Sequence, residues 1–403
     1  MIKTKFKHTE IGYVPHDWNV WGFYEIFSKI PNNTYAREYM NDDHGRIHNI
    51  HYGDILVKYG AIVNFEKDSI PFLNDNVVVN LNKQQLQEGD VIIADTAEDE
   101  TAGKAIEIWN LGNRKAVSGL HTMAFRPKIG FTPKYLGYFM NASIFHNQLL
   151  PYQTGTKVTS ISKSVMGKFY VAAPATTTEQ SNITIALSDI DELIQNLQAL
   201  ICKKENIKTG TMQQLLSGKT RLKGFEDEWE RKAVFAITGK IRRGQTLKSD
   251  DFVYGNIPVM AGGKQYAGYH NVANQNGRTI TLSGSGASAG FVAIHNVPIF
   301  ATDCSVIVES KKFSLDFLYY LLAYKQDDLY KLQTGGAQPH VYPRDIERVE
   351  VYQPKAIQEQ RAIAKVLLEE DEEIDMLKAR LQKYQDIRTG MMQQLLTGKI
   401  RLI

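Results

Sequence analysis

Gly286, Ser288 and Gly290 stand in the G-x-S-x-G spacing that can aim a serine hydroxyl for acyl transfer. Such an elbow needs a helix directly after the serine to hold it on a strained turn. Here Phe291-Val-Ala-Ile follows, a strand pattern, so the stretch predicts a glycine-rich hairpin or binding loop instead of a hydrolase. The same run, SGSGASAG from Ser283, lacks the dinucleotide spacing and a helix to receive a pyrophosphate. Gly218-Lys219-Thr220 fails as a phosphate loop because Gln213 occupies the required upstream glycine position. His44, His48 and His51 have helical spacing, yet Gly45 and Gly53 interrupt the helix and no carboxylate completes a metal set. The Asn- or Asp-Pro-Pro-aromatic signature of a base-methylating site is absent. No catalytic residue and no metal ligand is assigned.

With 403 residues, 43% of them hydrophobic and 23% charged, the chain can bury cores for two or three domains. No apolar run approaches the roughly 20 residues of a membrane span. Cys202 and Cys304 lie far apart in unrelated contexts, which suits a reducing compartment, and a cytoplasmic location is expected. The net charge of +3 is spread evenly: residues 1–178 carry 18 basic and 17 acidic side chains, and residues 224–357 carry 15 and 14. Overall charge therefore does not announce a nucleic-acid partner, and any such argument must be local.

The elements that position everything else come from a repeat. IKTGTMQQLLSGKTRL from Ile207 returns as IRTGMMQQLLTGKIRL from Ile387, with 12 of 16 positions identical at an offset of 180. At the same offset Gln153-Thr154-Gly155 matches Gln333-Thr334-Gly335, Pro174 matches Pro354, and Glu179-Gln180 matches Glu359-Gln360. GYVPHDW from Gly12 and GFEDEW from Gly224 open the two copies. Each copy is a globular part followed by a segment of about forty residues with helical period.

In the first segment Ile183, Leu187, Ile190, Ile194, Leu197 and Ile201 form an apolar seam, widened by Leu193, Leu200 and Ile207. In the second, Ile363, Leu367, Ile374, Leu377, Leu381, Tyr384, Met391 and Leu395 follow the same track. Thr176 with Glu179 has capping-box spacing, and Gly218 and Gly398 sit where a C-terminal cap belongs. The second helix starts acidic, from Glu369 to Asp375, and both segments end basic, so an antiparallel pair sets unlike charges side by side. Gly210 and Gly390 cost about 1 kcal/mol each against alanine inside a helix, and their recurrence suggests a close backbone contact.

The globular parts read as mixed α/β. Strand-like runs are Gly53–Val57, Val77–Val79 and Asp90–Ala94 in the first, and Thr279–Leu282, Phe291–Ile294 and Ser305–Val308 in the second. Each part also carries one aromatic helix, Tyr135–Phe139 and Phe317–Leu321.

Two divergent globular parts on near-identical helices ending TG-M-QQLL-GK-RL resemble the specificity (S) subunit of type I restriction-modification systems. The resemblance spans essentially the whole chain. It implies a mixed α/β chain with two target-recognition domains, residues 1–178 and 224–357, separated by an antiparallel coiled coil of two conserved helical spacers, 179–223 and 358–403, in a pseudo-twofold repeat. Each domain would read one half of a bipartite, asymmetric double-stranded DNA target. The subunit would be non-catalytic and hold no cofactor. Two modification (methyltransferase) subunits would use S-adenosylmethionine, and ATP-dependent restriction subunits would supply cleavage. No membrane is implied.

DNA contacts are then expected from local basic and polar loops. In the first domain these are Lys29, Asn32, Asn33, Tyr35 and Arg37, with Thr154, Lys157, Ser160, Ser162 and Lys163. In the second they are Lys240, Arg242, Arg243, Gln245 and Lys248, with Gln338, His340, Tyr342 and Arg344. For the helix and methyltransferase interface the candidates are Ile194, Leu197, Ile201, Gly210 and Leu215, with Ile374, Leu377, Leu381, Gly390 and Leu395. The rival reading is a coiled-coil scaffold with no nucleic-acid role.

Overall fold

The computed structural model describes residues 4–155, 157–247 and 253–403. The chain is mixed α/β and divides into two compact units: residues 1–196 with 381–403, and residues 197–380. Among the described residues no helix is long and apolar enough to cross a membrane.

In the first unit a five-stranded sheet orders Phe27–Ile30, Thr122–Pro127, Val91–Ala94, Ala105–Trp109 and Ile62–Asn64, antiparallel except for the last pair. Alternate residues of the central strands serve two cores. Val91, Ile93, Met123 and Phe125 face a cluster built on Phe23, Phe139, Phe145 and Phe169, whereas Ile92, Ala94, Ile106 and Ala124 face one built on Ile50, Ile55 and Val63. Burial on both faces explains why the run from Val91 to Ala94 is apolar without alternation.

The aromatic helix Tyr135–Asn141 lies on this sheet, so close at Gly137 that a Cβ there would meet the Ala61 carbonyl oxygen at 2.4 Å. Its first turn is held by Glu107, whose Oε1 and Oε2 accept the amides of Lys134 (2.6 Å) and Gly137 (2.8 Å). Burial pushes the Glu107 carboxyl up to about 7 against those donors.

The second unit has a four-stranded antiparallel sheet, Arg242–Arg243, Cys304–Val308, Thr279–Ser283 and Val292–His295, covered by the helix Leu315–Tyr324. Four of the six expected strands and both aromatic helices are thus present in place. Gly53–Val57, in contrast, lies in a helix, Tyr52–Val57, started by His51, whose Nδ1 accepts the Gly53 amide. Val77–Val79 is not a strand, and Val78 is 82% exposed.

The long helices span Thr177–Leu216 and Ile357–Leu395. Ile183, Leu187, Ile190, Ile194, Leu197 and Ile201 are buried, but Leu200 and Ile207 are exposed, so the seam is narrower than its periodicity implied. Each unit pairs the start of one helix with the end of the other. In the first, Arg388 pairs with Asp191, and Asn182 Nδ2 donates to the Leu402 carbonyl at 2.8 Å. In the second, Lys208 pairs with Asp371, Lys204 with Glu373 (2.6 Å) and Lys378 with Glu205 (2.7 Å). These pairs set the helices antiparallel within each unit, as the charge pattern requires.

Helix ends are locked by one device used twice. Arg401 grips Glu179 through Nε (2.5 Å) and Nη2 (2.7 Å), and Arg221 grips Glu359 through Nε (2.6 Å) and Nη2 (2.8 Å). Both carboxylates are buried. The capping box is therefore only half made: the Glu179 amide donates to Thr176 Oγ1 at 3.4 Å, while its carboxylate is committed to Arg401. Beside it, Gln180 Nε2 donates to the Pro174 carbonyl and Gln360 Nε2 to that of Pro354. Gly218 (φ +72°) and Gly398 (φ +66°) do cap the helices, in the left-handed conformation that glycine tolerates. A Cβ at Gly398 would meet Pro15 at 2.3 Å, and one at Gly218 would meet Trp229 at 3.3 Å.

Glu359→Ala leaves Arg221 and the Trp229 Nε1 donor (3.2 Å) without their acceptor and is expected to cost about 3 kcal/mol. Glu369→Ala, on an exposed 3.8 Å pair, is expected to change stability by less than about 0.5 kcal/mol, both measured by denaturant titration. Between about pH 4.5 and 7 folded Glu107 keeps a proton that the unfolded chain has released. Stability of the first unit is therefore expected to fall as pH rises across that window, with a flatter profile for Glu107→Gln.

Candidate nucleic-acid interface

In the first unit the two expected segments meet. Lys163 Nζ donates to Asn32 Oδ1 at 2.6 Å, Asn32 Nδ2 donates to the carbonyls of Asn33 and Gly119, and Tyr24 Oη donates to the Lys163 carbonyl. Lys29, at the end of its strand, lies 4.8 Å over the Tyr24 ring. Lys29, Asn32 and Lys163 together line a cavity of about 230 Å³ floored by Ile30, Pro31, Met123 and Phe125. The result is a cationic rim around an apolar floor, which suits a phosphate-bearing ligand. Lys157 and Ser162 are exposed, Thr154 pairs with Ser160, and Ser162 Oγ accepts the Ser164 amide.

Two residues of the first list are tied into the fold and a third is paired at the surface. Asn33 is buried, donating through Nδ2 to Asn49 Oδ1 (2.7 Å) and the Ser118 carbonyl (3.0 Å). Tyr35 Oη is tied to the Val78 carbonyl. Arg37 is exposed and pairs with Asp54 (2.7 Å) and Asp42 (3.5 Å). Polar type and loop position are the same for a residue that faces solvent and one that braces a loop, so the sequence could not separate them.

The second unit brings its segments together through residues outside the expected list. Arg243 Nη2 pairs with Asp303 at 2.7 Å, and Ser285 Oγ bonds the same carboxylate. Ser285 in turn bridges to His340, which exchanges backbone bonds with Thr334 at 2.8 and 2.9 Å. The loop after Thr279–Ser283 is thus the base that joins the cationic segment to the segment around His340. It links antiparallel strands, consistent with a hairpin and not an elbow around Ser288. Lys240, Arg242 and Gln338 are exposed, and Gln245 Oε1 accepts Asn274 Nδ2 at 3.5 Å. Lys248 lies outside the described residues. His340 stacks on Tyr342 (centroids 6.1 Å apart, planes 19° apart), and the Arg344 guanidinium sits 5.3 Å over the Tyr342 ring.

The residues expected at the helix and methyltransferase interface divide between the two roles. Ile194, Leu197, Ile201, Leu215, Ile374 and Leu395 are buried within this chain, as residues of a helix seam. Leu377 and Leu381 are half-buried. Gly210 and Gly390 make no close backbone contact, since a Cβ at either meets nothing within 4 Å. His48 is held by the Ile70 carbonyl and His51 by the Gly53 amide; among the described residues no group of three His, Cys, Asp or Glu side chains is arranged for a metal ion.

Residues 226–384 match the family described as the type I restriction modification DNA specificity domain. A protein of Methanocaldococcus jannaschii named as the type I restriction enzyme MjaX specificity subunit is 24% identical over 425 residues, covering 98% of this chain and 97% of that one. The type I specificity subunit S.MgeORF438P of Mycoplasma genitalium is 24% identical over 252 residues, covering 60% of this chain and 65% of its own. Among solved structures, a type I restriction-modification S subunit from M. genitalium superimposes with a TM-score of 0.63 at 17% identity, over 94% of this chain and 96% of that one. The resemblance carried by the repeat is borne out.

Because the helical glycines touch nothing, Gly210→Ala and Gly390→Ala are each expected to raise stability by about 1 kcal/mol, whereas Leu395→Ala is expected to lower it by about 3 kcal/mol. Thermal melting of the three variants distinguishes helix propensity from packing.

Proposed function

We infer that this chain is the DNA-specificity subunit of a type I restriction-modification system, its two unlike heads each reading one half of a bipartite target. The observation that carries the reading is the duplication itself, in which divergent heads are mounted on helices whose ion pairs recur at one offset. Glu179–Arg401 and Asp191–Arg388 in one unit correspond to Glu359–Arg221 and Asp371–Lys208 in the other. A repeat that keeps its mounting and varies its heads suits a device that must read two different sequences from one common framework.

In this reading the heads are target-recognition domains and the antiparallel helices form the spacer that fixes the unread interval between half-sites. The subunit performs no chemistry. Adenine methylation comes from modification subunits, two per complex, that hold S-adenosylmethionine, and cleavage from restriction subunits driven by ATP, in the cytoplasm. The docking surface for the modification subunits includes the open helix faces around Gly210 and Gly390, not the buried seam. DNA contacts fall to the exposed part of each head: Lys29, Asn32, Lys157, Ser160, Ser162 and Lys163 in the first, Lys240, Arg242, Arg243, Gln338, His340, Tyr342 and Arg344 in the second.

Replacing residues 224–357 with the equivalent part of a relative is expected to change one half-site of the methylated motif and leave the other half and the interval unchanged. Methylome sequencing of cells carrying each version reads this directly. A change in both halves, or no bipartite mark in cells with the unmodified chain, would sink the reading.

A further inference from the structure

One hairpin is built the same way in both heads. Gln153 Nε2 donates to the Ala102 carbonyl (3.0 Å) and Gln333 Nε2 to the Ala289 carbonyl (2.8 Å), tying each hairpin to its own head. Thr154 Oγ1 donates to the Ser160 carbonyl and Thr334 Oγ1 to the His340 carbonyl, both at 3.4 Å. Gly155 and Gly335 have φ of +111° and +98°, and a Cβ at either would press on the carbonyl of residue 158 or 338. Ile161 and Val341 anchor the returning strand in the core, and Met166 and Ile346 anchor the short helix after it.

Against this common frame the residues that alternate with the anchors are wholly different. Positions 160, 162 and 164 are three serines, and the matching positions 340, 342 and 344 are His, Tyr and Arg. In the first head Ser162 Oγ lies 2.8 Å from Ser164 Oγ, and Ser160 Oγ lies 3.4 Å from Thr154 Oγ1. In the second the His340 and Tyr342 rings lie 19° from parallel and Arg344 sits 5.3 Å over the Tyr342 ring; its side chain is 74% exposed and the carboxylate of Asp345 is 3.8 Å away. A contact with the ring face restrains a guanidinium without using its donors. A cation that only neutralises a phosphate gains little from that, but a planar fork that must match the O6 and N7 acceptors of guanine does.

We propose that the difference between the two half-sites is set at these three outward positions, and that Arg344 is the specificity-determining residue that reads a guanine in the half-site of the second head. This rests on the DNA-recognition reading above. Tyr342 is its positioning residue, and the serine trio makes the first head read its half-site at these positions through small hydroxyls.

The test uses the assembled methyltransferase complex and duplexes carrying the bipartite motif found by methylome sequencing, with each base substituted in turn. Arg344→Ala and Arg344→Lys are both expected to lose roughly 10- to 100-fold of the preference for guanine at one position of one half-site, with the other half-site, the interval and the melting temperature unchanged. If Arg344→Lys keeps full base preference while Arg344→Ala weakens all duplexes equally, the residue serves a phosphate and the inference is overturned. Unchanged preference in both variants overturns it as well. An unmodified complex that methylates no bipartite site instead removes the DNA reading on which it rests.

Discussion

Neither head is complete without the other copy's helix. In the first unit Met392, Leu395 and Leu396, from the end of the second helix, join the core around Trp18, Ile183 and Leu187. In the second unit Leu215 and Leu216, from the end of the first helix, join Trp229, Ile363 and Leu367. Burial of these leucines, each contributing about 2 kcal/mol, forces the helices to run back along one another. The paired Arg–Glu grips then fix the register, because a buried carboxylate tolerates no slip that leaves it unpaired.

That exchange of helix ends explains features that look unrelated in the sequence. The terminal Gly-Lys motifs let the chain turn away under a tryptophan, and the Glu-Gln pairs after each proline supply a carboxylate for the incoming arginine and an amide that closes the last strand onto the helix. The heads can then differ freely above this base. Their outward loops carry little of the core, so polar and aromatic composition there can vary without cost to the fold.

Much of this was legible in the residues. The 180-residue offset located both helices, their capping glycines and, through the acidic stretch from Glu369, their antiparallel sense. What was not legible had physical causes. A short apolar run such as Gly53–Val57 fits a strand or a helix equally well, and the histidine cap that decides it is a local hydrogen bond that periodicity does not register. An apolar seam residue such as Ile201 reads the same whether it faces its own chain or a partner. At the candidate site, Lys29, Asn32 and Lys163 were found as separate loops, but their shared cavity and the role of Asp303 as the anchor for Arg243 depend on contacts between distant segments.

The discontinuity of the first unit also sets an order of events during synthesis. Residues 197–380 form an uninterrupted stretch that can fold while the chain is still growing, whereas residues 1–196 wait for 381–403 before Trp18 and Glu179 meet their partners. The earliest head to leave the ribosome is therefore the last whose core can close, since Met392, Leu395 and Leu396 belong to it.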